Sequence, residues 1–296
     1  LKLKTLTKDV VMKGLRIIKR LFFLMIQCFV GVEVLIIISV FPELFKNLTF
    51  NGTKFLQAAY DLNVKLFTFG DFMLRDQKNS VFPVIFYKYF DSMKMLALSF
   101  VVACVIAFII AYVGLIFFKN KIKYIKSFLE ILESIPDLML ILLLQFAVIM
   151  VYKKTGIKLA RVVTLSEEAI LLPVISLSVP ISLYITKVLI HYIEEELEKH
   201  YVMLAKAKGF TFSYILNVHV LRNIADGMFG TSKTIFWSML STLFVIDYLF
   251  NMNGLLRVML TATDPFIIGC ILIFIPFFLI YRIYEWVSFD SRKDTQ

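Results

Sequence analysis

The side chains that most often carry covalent or metal chemistry are sparse in this chain and poorly spaced for it. His191, His200 and His219 form no chelating i, i+4 pair, and Cys28, Cys104 and Cys270 lie far apart within apolar runs. Neither set has metal-ligand spacing, and the cysteines read as small side chains buried in a membrane. No His, Cys, Asp or Ser cluster with catalytic spacing occurs, which argues against an enzyme. A phosphate loop of the Gly-x-x-x-x-Gly-Lys-Ser/Thr kind is also absent, so nucleotide chemistry would need a separate chain. What remains is a few polar residues inside apolar runs and one long polar stretch between them.

Glu33 is the ionisable residue deepest in an apolar run, where facing lipid would cost at least ~2.5 kcal/mol. It should face a protein interior or a water-filled path, or else pair with a neighbouring helix. Gln145 and Asp247 are the further candidates for lining a translocation path. The polar stretch runs from Glu194 to Asn223. Glu194, Glu195, Glu196 and Glu198 read as the first turns of one helix, Lys206 and Lys208 as its last turn, and Gly209 as a left-handed stop. Leu197, Tyr201, Leu204, Ala205 and Lys208 share a face of that helix. Thr211 or Ser213 can cap a second short helix through Val220. Periodicity alone leaves two uses open: an amphipathic helix flat on the membrane surface, or a helix pair that docks on a partner.

The elements around this stretch are apolar. The 296 residues are 59% hydrophobic, include 30 phenylalanines and have a mean hydropathy of +0.81. Runs of about 18 residues or more are long enough to cross the hydrocarbon layer as helices, which gives a polytopic all-α membrane protein. Six transmembrane helices are expected: Leu21 to Phe41, Met93 to Phe118, Glu133 to Tyr152, Ala169 to Ile190, Met228 to Leu249 and Phe266 to Val287. The organisation is a cytoplasmic segment at 1–20, an uncleaved first span at 21–41, an extracellular loop at 42–92, a five-helix core at 93–290 and a cytoplasmic tail at 291–296. The polar loop lies at 191–223 within the core.

Both termini are expected in the cytoplasm. The formal charge of +10 fits that topology better than nucleic acid, because Lys and Arg are scattered through the loops. The basic clusters are the N-terminal Lys2 to Arg20 and the loop Lys119, Lys121, Lys123 and Lys126. Lys153, Lys154, Lys158 and Arg161 go against the positive-inside rule, partly balanced by Glu167 and Glu168. A short amphipathic element is expected near Val81 to Tyr89, before the second span, lying against the membrane surface or against a partner. Pro136 is expected in the first turns of the third helix. Pro173 and Pro180 should interrupt the fourth, with Ser176, Ser178 and Ser182 able to bond the freed backbone groups.

The residues Tyr201-Val202-x-x-Ala205-Lys206-Ala207-Lys208-Gly209, with His219 and then Leu221-Arg222-Asn223, form a recognisable pattern. It resembles the cytoplasmic loop of ABC-importer permeases of the oligopeptide, dipeptide and nickel family. Asp247-x-x-Phe250-x-x-Asn253-Gly254-x-x-Arg257 and Asp264-Pro265-Phe266 resemble later family loops. Phe69-Gly70-Asp71, Ser92 and Ser134-Ile135-Pro136 match more faintly. The chain departs from the family where Ile224-Ala225-Asp226-Gly227 replaces a proline, and where Asn253 and Leu256 stand for Pro and Gly.

The resemblance implies a permease subunit of an ATP-driven, solute-binding-protein-dependent importer in a bacterial inner or plasma membrane. Peptides are the expected cargo, and nickel or metal-chelator complexes the alternative. It implies a second homologous permease, two cytoplasmic ATPase subunits that bind ATP and Mg, and an extracellular solute-binding protein. No cofactor is expected in this chain. Leu197, Tyr201, Leu204, Ala205, Lys206, Ala207, Lys208, Gly209, Phe210, His219, Arg222 and Asn223 would then form the ATPase-coupling knob, with Tyr201, Leu204 and Ala205 packed in the ATPase groove. A reading of a different class, a stand-alone secondary carrier or channel, would call for paired broken helices and several intramembrane charges. Only Glu33 and the proline-interrupted fourth helix lean that way.

Overall fold

The computed structural model describes residues 2–48, 50–68, 70–74, 80–118, 121–158, 160 and 170–293. It is 87% helical and holds no strand among the described residues. Among the described residues, five helices are long and apolar enough to cross a membrane: Ile18–Phe45, Val81–Phe117, Asp137–Thr155, Leu171–Leu197 and Thr263–Trp286. The chain divides into two compact units, Leu1–Tyr89 with Val258–Gln296, and Phe90–Arg257. The sequence expectations for Phe69, Lys119, Arg161, Glu167, Glu168 and Ala169 lie outside the described residues.

In the first unit α1 (Lys2–Val40) runs from the basic N-terminal segment through the first span without a break. A 3-10 turn (Phe41–Leu48) and α2 (Gly52–Phe67) follow. The 42–92 region therefore carries helical structure of its own. α11 (Thr263–Lys293) packs along α1, where Phe274 fills the space beside Gly31. Lys65 at the end of α2 pairs with Asp264 at the start of α11, and the same carboxylate accepts a hydrogen bond from the Met73 backbone at 3.1 Å.

α3 (Val81–Phe117) corrects the expectation of a separate amphipathic element at Val81 to Tyr89, which is continuous with the second span. Nothing between Val81 and Phe117 breaks the helix: Pro83 falls in the first turn, where its missing N–H has no partner to lose. The lysine-rich loop that follows is also structured. Its apolar residues Ile122, Ile125 and Leu129 recur at helical spacing and form α4 (Ile122–Glu133), whose Leu129 is buried. Ser134 and Ile135 then leave the helix, and Pro136 takes an extended conformation (φ −55°, ψ 138°) as N-cap of α5 (Asp137–Thr155). Pro136 thus ends the linker rather than sitting inside the third span, because the residue before a proline is pushed away from helical geometry.

α6 (Leu171–Leu197) keeps Pro180 within a continuous helix. The Ser178 hydroxyl lies 2.6 Å from the Val174 carbonyl and 3.0 Å from the Ser99 carbonyl of α3, and Ser182 donates to Val179 O at 2.8 Å. Ser176 Oγ is buried with no hydrogen-bond partner among the described residues. α9 (Leu221–Leu249) is long enough to span, yet it is not among the five, because Lys233, Asp247 and several Ser and Thr residues dilute its apolar character. α6 and α9 form the best-packed helix pair of the second unit. Beyond α9, Asn251 takes a positive φ of 49° and α10 (Leu255–Met259) begins.

Candidate functional site

The polar stretch folds differently from one continuous helix. The apolar repeat Leu189, Ile193, Leu197 carries α6 two further turns past the expected end at Ile190, so Glu194, Glu195 and Glu196 form its C-terminal turn. Glu198 and the extended Lys199 (ψ 148°) then break the helix, and α7 (His200–Ala207) starts afresh. Acidic side chains at a helix C-terminus oppose the helix dipole, and neighbouring donors compensate. Lys126 of α4 pairs with Glu194, while Lys199 pairs with Glu196 at 2.6 Å.

Glu196 collects more than that one partner. Its carboxylate accepts from the Tyr201 hydroxyl at 2.7 Å, from Lys199 Nζ at 2.6 Å and from Asn223 Nδ2 at 3.3 Å. The end of α6, the start of α7 and the first turn of α9 thus converge on one acid whose side chain is 8% exposed. Burial and the bond to Glu196 push the Tyr201 phenol above its ordinary value, so it remains a donor at neutral pH. The sequence reading included Tyr201 and Asn223 but missed Glu196. Nothing distinguishes one member of an acidic run until the helix phase is known.

Gly209 closes α7 with φ 84°, the left-handed stop expected of it, and a Cβ there would meet nothing within 4 Å. Thr211 caps α8 (Phe212–Tyr214) by accepting from Tyr214 N at 3.4 Å. A π-helical turn, Ile215–Val220, then feeds directly into α9. α7, α8 and the π turn rest on one apolar cluster. Ala111, Leu115, Leu129, Leu189, Ile190, Ile193, Val202, Ala205, Ile215, Leu216, Val220 and Ile224 are its buried members, and Leu197 and Tyr201 pack partly against it.

The face expected on α7 is therefore rotated. Ala205 and Val202 face the chain's own cluster, whereas Leu204 is 58% exposed and Met203 lies beside it. The offset arises because α7 starts at His200 and does not inherit the phase of Leu197. Lys206, Ala207, Lys208, Arg222 and Asn223 are also exposed. Phe210 stacks on Tyr214 with centroids 4.9 Å apart, and His219 sits among Tyr201, Phe210 and Tyr214 at 5.8 to 6.5 Å. The outcome is a cap: an outer surface of Met203, Leu204, Phe210 and Tyr214, flanked by Lys206 and Lys208, on a buried apolar base.

The three candidate path residues have separate surroundings. Glu33 of α1 accepts from Asn63 Nδ2 of α2 at 3.1 Å, a pairing with a neighbouring helix. Gln145 is half-buried on α5, away from the walls of a cavity of about 160 Å³ lined by Glu133, Asp137, Pro180, Tyr184, Thr234 and Ser238. Asp247 is buried near the end of α9, where its carboxylate accepts from Leu256 N at 3.3 Å and its carbonyl from Met252 N at 2.9 Å. A Cβ on Gly254 would collide with that carboxylate, and Leu255 N donates to Ser92 Oγ at 3.1 Å. Asp247, Gly254 and Ser92 thus hold one turn together. No group of three or more His, Cys, Asp or Glu that could hold a metal ion occurs among the described residues.

Several long apolar helices, with a compact cap between α6 and α9, define a polytopic membrane protein with a built surface outside its spans. The model of a family described as "binding-protein-dependent transport system inner membrane component" matches residues 118–292, more than half of the chain and the whole of this cap. The chain belongs to that family: it is a membrane permease component of a binding-protein-dependent transporter, and membership implies a solute-binding protein and ATPases as partners. No curated protein matches it.

Proposed function

We propose that this chain is a permease subunit of an ATP-driven importer, that its cap is the docking knob for a cytoplasmic ATPase subunit, and that its cargo is peptide. The observation that carries the reading is the two-sided construction of residues 200–220. One side is locked into the chain's own apolar cluster while the other leaves Met203, Leu204, Phe210 and Tyr214 uncovered. Buried apolar centres with a polar rim are what protein interfaces use, and Lys206 and Lys208 supply such a rim. Peptide cargo rests on the resemblance of Tyr201 through Asn223 to the oligopeptide and dipeptide permeases. The full assembly in this reading has a second homologous permease, two ATPases and an extracellular binding protein, with both termini of this chain in the cytoplasm.

Mechanically, the cap is continuous with α6 through Glu198 and Lys199, and with α9 through the π turn. ATP-driven closure of the ATPases pushes the cap as a rigid body, and the two helices tilt with it. The central cavity then changes its side of access. Ala205→Glu is a poor test, since it would bury a charge in the chain's own cluster. Leu204→Glu and Phe210→Glu alter the exposed side and leave the base intact. In proteoliposomes holding the whole transporter and loaded binding protein, both variants are expected to insert normally and to lose short-peptide uptake by about tenfold or more, in line with a central interface residue worth about 2 kcal/mol. Normal uptake by both would remove the docking role, and uptake by this chain without ATPases would remove the importer reading.

A further inference from the structure

Glu196 is a buried acid that joins three helices, α6, α7 and α9. We propose that Glu196 is a positioning residue of energy coupling: its carboxylate latches the cap to α6 and α9 together, so that a push on the cap reaches both membrane helices in the same stroke. The proposal rests on the docking role given to the cap.

The cap has two covalent exits, and each has a weak point. The exit to α6 is the break at Glu198 and Lys199, which has no continuous helical hydrogen-bond ladder to carry a torque. The exit to α9 is the π turn Ile215–Val220, whose wider winding is less regular than the α-helix it feeds. Glu196 bypasses both. From the last turn of α6 it reaches Tyr201 beyond the break and Asn223 beyond the π turn. Lys199, in the break itself, neutralises its charge. A carboxylate suits the task because it accepts several bonds at once and donates none. Glutamine in its place would turn one accepting oxygen into an N–H donor facing Lys199, Tyr201 or Asn223, each of which is itself a donor there. The apolar packing beneath keeps the cap folded in such a variant, so what is lost is the stiffness of the joint.

The test uses the whole transporter in proteoliposomes with binding protein and peptide, with ATP hydrolysis and uptake measured on the same sample. Glu196→Gln is expected to assemble in normal amount and to lower uptake per ATP hydrolysed about tenfold, the factor that loss of one charge-assisted hydrogen bond carries. Glu196→Asp, which keeps the charge but shortens the reach, should recover part of the ratio. Tyr201→Phe and Asn223→Ala should each lower it, and neither should lower it further in the Glu196→Gln background. A ratio unchanged in Glu196→Gln, or a loss of uptake that only follows loss of assembled complex, would overturn the latch. Leu204→Glu run alongside separates the two claims. If it transports normally, the docking role itself has failed; if it is defective while Glu196→Gln keeps a normal ratio, only the latch has.

Discussion

Asp247 and Gly254 show how a single residue pair sets the end of a long helix. The buried carboxylate accepts from the Leu256 amide, and the room it occupies beside the backbone is the room a side chain at 254 would need. Only hydrogen fits there. Gly254→Ala is expected to destabilise the chain by about 1–3 kcal/mol through overpacking, seen as a lower melting temperature of the purified transporter in detergent. Gly209 is the opposite case. Open space surrounds it, and only its positive φ selects glycine, so Gly209→Ala should cost no more than about 1–2 kcal/mol. The first was visible in sequence only as a loop resemblance, since no spacing rule announces a collision with a carboxylate seven residues earlier. The second was fully legible, because a glycine after a run of helix formers is a stop signal in its own right.

Among the elements, the least legible from sequence was α4. Lysines between two apolar runs read as a loop, yet Ile122, Ile125 and Leu129 fold it into a helix against α6. Two ion pairs set their register: Lys126 meets Glu194, and Lys187 meets Glu133 at 2.6 Å. On each helix the two rungs lie about two turns apart, and their polarity is reversed, positive then negative on α4 and again on α6. Each rung is partly exposed and worth at most about 1 kcal/mol in stability. Their value is in register, because an inverted or slipped helix brings like charges together. Reversing α4 alone with Lys126→Glu and Glu133→Lys should lower the melting temperature and uptake, and adding Lys187→Glu with Glu194→Lys should restore both. No restoration would mean that the apolar face alone sets the register. The same two helices explain the misplaced start of α7: polarity marked where the loop begins, whereas Leu189, Ile193 and Leu197 kept the helix going on packing.

For the whole molecule, membrane class was plain from composition, and the expected first, third and sixth spans lie close to long apolar helices, whereas the second helix begins well before Met93 and the fourth runs on past Ile190. The span over Met228 to Leu249 is the one that composition serves least well, since α9 carries Lys233 and Asp247. Its 29 residues still reach about 44 Å at the usual rise per residue, more than the hydrocarbon thickness. With Cys28, Cys104 and Cys270 replaced by serine, a cysteine at Ser213 should react with an impermeant maleimide only from the cytoplasmic side, and one at Tyr248 only from the opposite side. Labelling of both from one face would mean that α9 does not cross and that the chain has five spans. Buried polar contacts are what would make such a helix tolerable in a membrane, and the buried Asp247 carboxylate accepts from the Leu256 amide.

The uncovered side of the cap has a consequence for the cell as well as for transport. Met203, Leu204, Phe210 and Tyr214 make up an apolar surface that an unassembled copy displays continuously, and such patches invite indiscriminate association and recognition by quality-control proteases. On the proposed docking role, the lifetime of this chain is tied to the supply of the ATPase that covers that surface, and synthesis in excess of it is expected to yield clearance and not a reserve.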